Sequence, residues 1–267
     1  MNTRAIDLDP RRTRPRGLSR IADALSSAWR LMFPAQRFLY ERDKVPLPPL
    51  VLRAAGPLFH NDRTFHRFAI TDVAMIERHT EVAGKHILDF GCGAGRLFFG
   101  FRCRNEPGSY LGVDVRRDVI DWVQRTITAR NGRFAFVWRD VENERYNPNG
   151  ALANNAWSES LKRTFDIVYC YSVLSHLIEA DATAALNLFA DYTRKDSLIF
   201  LTAFIGEQSE TIAVNPNDAN IAIRGPLHVV RYRPDYFRDT LLRRFTIVAE
   251  YPAVATDGQS LFVLRPR

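Results

Sequence analysis

From residue 84 onward the chain alternates two hydrophobic rhythms. Short apolar runs at His86–Phe90, Tyr110–Val115, Phe134–Trp138, Phe165–Tyr171 and Ser197–Phe204 have the length of strands covered on both faces. Between them, apolar residues recur at steps of three and four and mark helices at about 94–104, 116–130 and 181–194. Asn131-Gly132 stops the second of these. A further helix is expected near Pro234–Arg244, and RFTIVAEYP and SLFVLRPR then read as a hairpin closing one edge of the sheet. Such alternation predicts an α/β fold with a mainly parallel sheet and helices on both faces.

The first third is built differently. Residues 1–17 are rich in Arg and Pro and are expected to be mobile. Leu18, Ile21, Ala22, Leu25, Ala28, Trp29 and Met32 then form one face of an amphipathic helix bracketed by Gly17 and Pro34. VPLPPL, Val45–Leu50, reads as a stiff linker, because each proline fixes its own φ and biases its predecessor away from helix. A helix over about Phe65–His79 delivers the chain to the first strand. The expected organisation is a basic extension, residues 1–64, and a main domain, residues 65–267.

Charge sharpens that division. Of the 37 Lys and Arg, 14 fall in residues 1–80 against 8 Asp and Glu, while residues 81–267 are nearly balanced at 23 against 22. The basic extension suits a cap on the main domain, with peripheral contact to an anionic membrane surface through residues 1–45 as the alternative. No apolar run approaches the roughly 18 residues of a membrane span. A soluble chain without a cleaved leader is expected, in the cytoplasm or peripheral at the inner membrane surface. Three cysteines, Cys92, Cys103 and Cys170, are too few and too irregularly spaced for a disulfide framework or a zinc site.

The most informative stretch is HILDFGCGAGR, His86–Arg96. A strand carrying Asp89 opens through Gly91, Cys92, Gly93, Ala94 and Gly95 into a helix, so backbone N–H groups and the positive helix end face a ligand. Two ligand classes fit. A dinucleotide requires GxGxxG, and Arg96 stands where its third glycine would be. S-adenosylmethionine instead asks for a carboxylate near its ammonium, an acceptor for its ribose hydroxyls and one for its adenine amino group. Asp89 suits the first, Asp114 in GVDV, 23 residues past Gly91, suits the second, and Asp140 suits the third.

With those residues quoted, residues 84–204 resemble a class I S-adenosylmethionine-dependent methyltransferase. The likeness rests on HILDFGCGAGR, GVDV, Asp140 and FDIVYCYSVLSHL. It implies a Rossmann-like sheet of seven strands with an antiparallel closing hairpin. It also implies that Asp89, Gly91, Cys92, Gly93 and Gly95 surround the methionine part, that Asp114 holds the ribose with Val115 against the adenine, that Asp140 and Val141 meet the adenine edge, and that Tyr171 lies near the sulfonium. LDFGCGAGR, YNPNG and SVLSHL together resemble bacterial enzymes of glycan or secondary-metabolite O-methylation. One departure is Arg194-Lys195-Asp196-Ser197, where the family usually turns through Pro-Gly-Gly.

Transfer to a hydroxyl needs a base, and His176 in SVLSHL is the expected one, against the plainer reading of a histidine bonded to backbone. No metal-ligating set stands out, which leaves the part of a divalent metal open: His60, His66 and Asp62 lie close in sequence but gather no further ligands. Gly206–Arg233 and Glu142–Thr164 are expected to form the acceptor pocket or a lid, with Tyr146, Asn147 and Trp157 as an aromatic and polar platform. The expected acceptor is a small molecule or glycan-like. A second reading, prompted by the basic N-terminus, makes the acceptor RNA, and the near-neutral main domain speaks against it. No DNA partner is expected, and a non-catalytic module docking through its N-terminal helix is the third reading.

Overall fold

A computed structural model describes residues 45–53, 57–151, 164–207, 210–219, 221–252 and 258–267. The helix expected over Leu18–Met32, the membrane contact expected through residues 1–45 in all but its last residue, and Trp157 lie outside the described residues.

Seven strands form the frame, in the order β3-β2-β1-β4-β5-β9-β8. They are β1 (His86–Phe90), β2 (Ser109–Asp114), β3 (Phe134–Trp138), β4 (Phe165–Cys170), β5 (Thr193–Ile205), β8 (Phe245–Tyr251) and β9 (Ser260–Pro266). The first five pair parallel, whereas β9 runs antiparallel to β5 and to β8. This is the expected mixed sheet with its closing hairpin. Two three-residue strands, β6 (Ile212–Val214) and β7 (Val230–Tyr232), form a small antiparallel pair inside the 206–233 insertion, and β7 joins the end of β5.

Side-chain alternation along the strands builds a core on each face. Ile87, Tyr110, Phe134, Ile167 and Phe200 bury against helices α1 (Asp62–Glu77), α2 (Arg96–Cys103) and α3 (Arg117–Val123). Leu88, Val168, Ile199 and Phe262 bury on the other face with α4 (Glu179–Asp191) and the wide helical turn Tyr236–Leu241. Helices α1 and α2 approach closely because α2 carries Gly100, where an added Cβ would lie 2.0 Å from the Ala69 carbonyl oxygen. No helix among the described residues is long and apolar enough to cross a membrane.

Three local expectations differ from the structure. The helix expected over 116–130 changes to a wider π turn at Gln124–Thr128, where Gln124 reaches the Phe136 carbonyl at 2.9 Å. Residues 194–197, expected as a turn, extend β5 toward its start, with a register irregularity where β4 meets it. There Arg194 pairs with Asp166, whose other oxygen accepts from the His86 N–H at 2.7 Å, so that carboxylate fixes the start of the strands. Val45 and Leu47 do not stand off as linker residues: both are buried in the α1–α3 core, since the prolines hold the backbone extended while the intervening apolar side chains face inward.

Candidate active site

The site forms where strand order reverses between β1 and β4, at the carboxyl ends of the parallel strands. Beyond Phe90 the chain turns through Gly91, Gly93 and Gly95, with φ of +80°, +50° and +77°. The turn is tied to β2: Gly91 and Cys92 donate their N–H groups to the Val113 carbonyl at 2.9 and 3.0 Å, and Gly93 donates to Asp114 Oδ2 at 2.8 Å. The Arg116 N–H donates to Asp114 Oδ1, also at 2.8 Å. An added Cβ at Gly93 would meet nothing within 4 Å, because that edge of the turn faces an open cavity of about 470 Å³. This volume is in the range of small-molecule sites.

Two groups of polar side chains line the cavity. The first is Asp89 with Asp114, beside the turn. Asp89 accepts a hydrogen bond from the Tyr110 hydroxyl at 2.5 Å. Burial pushes its carboxyl up to about 7, against the opposing pull of that bond and of Arg96. Burial also raises Asp114, with the Arg116 and Gly93 N–H groups acting the other way. Cys92 shares this environment, and burial raises its thiol far enough to keep it protonated and unreactive.

The second group is Tyr146, His176, Arg145, Arg224 and His228. His176 sits on the short turn Leu174–His176 after β4, edge-on to Tyr146 at 5.3 Å between ring centroids. Its Nδ1 lies 2.9 Å from the Leu227 carbonyl. A carbonyl can only accept, so this contact assigns the proton to Nδ1 and leaves a lone pair on Nε2. Burial lowers its pKa to about 4, with a smaller contribution from Arg145 in the same direction, so the ring is neutral at physiological pH.

The N-terminal flank completes the wall. Arg96 pairs with Asp72 at 2.9 Å and lies between the rings of Phe59 and Tyr171, 4.9 and 4.3 Å from their centroids. Arg53 pairs with Asp62 at 2.7 Å and also donates to the Pro48 and Phe59 carbonyls, which ties these three residues together at the cavity wall.

Of the residues singled out in the sequence, Asp89, Gly91, Cys92, Gly93, Asp114, Val115, Tyr171 and His176 line one cavity. Gly95 stands behind it at the start of α2. Asp140 and Val141 do not line it. Asp140 accepts from Asn147 Nδ2 at 3.0 Å, and Val141 is buried in the α4-side core. The loop folds back through the Asn143–Asn147 bridge and brings Asn143 to the wall instead. Sequence reading missed Arg53, Phe59, Phe65, Asn143, Arg145 and Ser172, all cavity residues. Ser172 opens the SVLSHL stretch but carried no individual signal there, and its φ of +56° is held by its N–H bond to Thr202 Oγ1 at 2.7 Å. Among the described residues no group of three or more His, Cys, Asp or Glu side chains could hold a metal ion.

Comparison with known proteins gives a consistent picture. A family described as a methyltransferase domain matches residues 88–199. A ubiquinone biosynthesis O-methyltransferase of Neisseria meningitidis is 23% identical over 188 residues, 70% of this chain and 68% of that protein. The U6 snRNA methylphosphate capping enzyme Amus of Drosophila melanogaster is 25% identical over 164 residues, 59% of this chain and about half of its own length at 53%. Among solved structures, the PH0226 protein of Pyrococcus horikoshii matches with a TM-score of 0.53 at 16% identity, covering 76% of this chain and 91% of that one. The glycopeptide N-methyltransferase MtfA complexed with S-adenosyl-L-methionine matches with a TM-score of 0.52, also at 16% identity, over 74% of this chain and 94% of that one. At these identities the structural matches speak to the fold.

Proposed function

We propose that the chain is a class I S-adenosylmethionine-dependent methyltransferase, a reading supported by the methyltransferase-domain match over residues 88–199, and that it moves a methyl group from S-adenosylmethionine to an oxygen of a small-molecule or glycan-like acceptor. The observation that carries the choice of oxygen is His176: a neutral imidazole in the cavity wall whose Nδ1 proton is engaged by Leu227, which leaves the lone pair on Nε2 as the one that can take a proton. An amine acceptor in its neutral form would need no such base.

The turn fits the cofactor. At Gly93 there is room where a side chain would intrude, and the Asp114 carboxylate is fixed by two backbone donors while lone pairs remain for a ribose. When bound, the cofactor supplies an electrophilic methyl group on a sulfonium. Asp89 is placed to hold the ammonium, with Gly91, Cys92, Gly93 and Gly95 around the methionine part. Asp114 holds the ribose, Val115 lies against the adenine, and Tyr171 stands by the sulfonium. We place the adenine edge against Asn143, which lines the cavity, ahead of Asp140 and Val141, which do not.

Asp114→Asn keeps one carbonyl acceptor but puts an NH2 where a backbone N–H or a ribose hydroxyl now finds an oxygen. Losing a charged hydrogen bond of about 1.5–3 kcal/mol predicts a roughly 10- to 100-fold weaker S-adenosylhomocysteine complex, read by calorimetry. Binding should also depend on pH through Asp89. Its folded pKa of about 7 lies above the ordinary 3.8, so the ligand-free carboxyl is protonated below about 7. Affinity for the cationic amino group is expected to rise with pH, by at most about tenfold per unit, and to level above that point. The stability of the ligand-free fold runs the other way, because this group's contribution is fully present at low pH and is lost as pH rises from 3.8 to about 7. Asp89→Asn should flatten both profiles; unchanged profiles in that variant would remove Asp89 from the binding site.

The acceptor class is tested by adding the enzyme and methyl-labelled S-adenosylmethionine to fractionated cell extract. Label in an O-methyl product of the small-molecule or polysaccharide fraction is expected. Label confined to RNA or to N-methyl products would overturn the reading.

A further inference from the structure

Five arginines line the cavity: Arg53, Arg96, Arg116, Arg145 and Arg224. Three are neutralised locally, Arg53 by Asp62, Arg96 by Asp72 and Arg116 by Asp118. Arg145 and Arg224 form no ion pair with any carboxylate among the described residues, and both belong to the polar group around His176. Arg145 is not a loose surface cation. Its Nη1 donates to the Arg224 and Pro226 carbonyls at 2.8 and 3.2 Å, its guanidinium lies 5.3 Å from the Tyr146 ring centroid, and its Nε is buried without a hydrogen-bond partner among the described residues.

The neighbours do not offset that charge. His228 accepts the Arg224 N–H on Nδ1 at 2.7 Å and is uncharged in that state, as is His176 with its Nδ1 proton on Leu227. Of the cavity carboxylates, Asp89 and Asp114 belong to the turn and Asp181 stands on α4. A partly buried cation fixed by carbonyls and forming no ion pair with a carboxylate among the described residues holds a planar donor surface ready for an anion.

We propose that the cluster of Arg145, Arg224 and His228 is an anion subsite, and that the acceptor carries a carboxylate or phosphate group which Arg145 grips while the methylated oxygen faces His176. This rests on the methyltransferase reading and adds the substrate class to it. Arg145 is thereby a specificity residue: it orients the acceptor and takes no part in the proton transfer.

The test uses the full chain saturated with S-adenosylhomocysteine and two probes, inorganic phosphate and benzoate, titrated by calorimetry at low salt. Wild type should bind at least one of them, phosphate pointing to a phosphorylated acceptor and benzoate to a carboxylated one. Arg145→Met should weaken that binding about tenfold or more and Arg145→Lys less, with S-adenosylhomocysteine affinity unchanged, which also certifies the fold. Arg224→Met, altering an exposed side chain, should cost severalfold and gives a second reading if Arg145→Met fails to fold. Equal anion binding in wild type and variants, or no anion binding to a wild type that does bind S-adenosylhomocysteine, would overturn the subsite. A wild type that binds neither S-adenosylhomocysteine nor the probes refutes the underlying reading instead.

Discussion

Gly91→Val is expected to leave a folded protein that no longer binds S-adenosylhomocysteine, with affinity down by about a thousandfold or more. Gly91 has φ of +80°, where an L residue costs about 1–2 kcal/mol and a β-branched one more. An added Cβ would also lie 2.2 Å from Val173 Cγ2, a side chain too stiff to swing clear. The turn would have to move away from the β4 end, breaking the 2.9 Å bond to the Val113 carbonyl that sets the register of the N–H groups that follow. Displacement of a binding loop by about 1 Å is enough for a hundredfold loss, and the total is about 4 kcal/mol in binding. Calorimetry measures the affinity and far-UV circular dichroism checks the fold. Binding close to wild type in a folded Gly91→Val protein would mean that the turn is not where the ligand sits.

The second large effect concerns His176. His176→Ala is expected to slow methyl transfer into the labelled product by about 10²–10⁴-fold, the usual contribution of a positioned base, while S-adenosylhomocysteine affinity stays within about twofold. The environment of the ring adds a constraint. With burial holding its pKa near 4, wild-type His176 stays neutral and competent from pH 6 to pH 8, so its own titration should leave no step in the rate over that range. At saturating S-adenosylmethionine, where the Asp89 effect on cofactor binding drops out, the rate should fall only as pH drops toward 4, where protonation blocks Nε2. His176→Gln keeps a hydrogen-bonding side chain but cannot accept the proton, so it should resemble the alanine variant. A rate near wild type in both variants would point to an acceptor that needs no base.

The frame of the molecule was readable because a strand covered on both faces must be apolar along its length. His86–Phe90 and Phe134–Trp138 begin and end where the apolar runs do. The glycine turn was readable because its backbone demands are written in residue type. The walls of the site were harder. Asp140 stands at a strand end, as its spacing from β3 indicates, but where its carboxylate goes is decided by Asn147 and the folding-back of the loop, a contact with no periodic signature. Arg145 and Arg224 lie 79 residues apart and meet only because β7 returns the insertion to the end of β5. The buried Val45 and Leu47 were masked by the prolines beside them, which announce an extended backbone but not which surface it lies on.

The central claim is that one S-adenosylmethionine site is built on the turn after β1 and on Asp114. Isothermal titration of the full chain with S-adenosylhomocysteine, repeated with Gly93→Arg, tests it most directly. The account predicts one site per chain for wild type, a raised melting temperature on saturation, and neither in Gly93→Arg, whose side chain would fill the open edge of the cavity. No heat and no thermal shift for wild type at millimolar ligand, or equal binding by the variant, would contradict it.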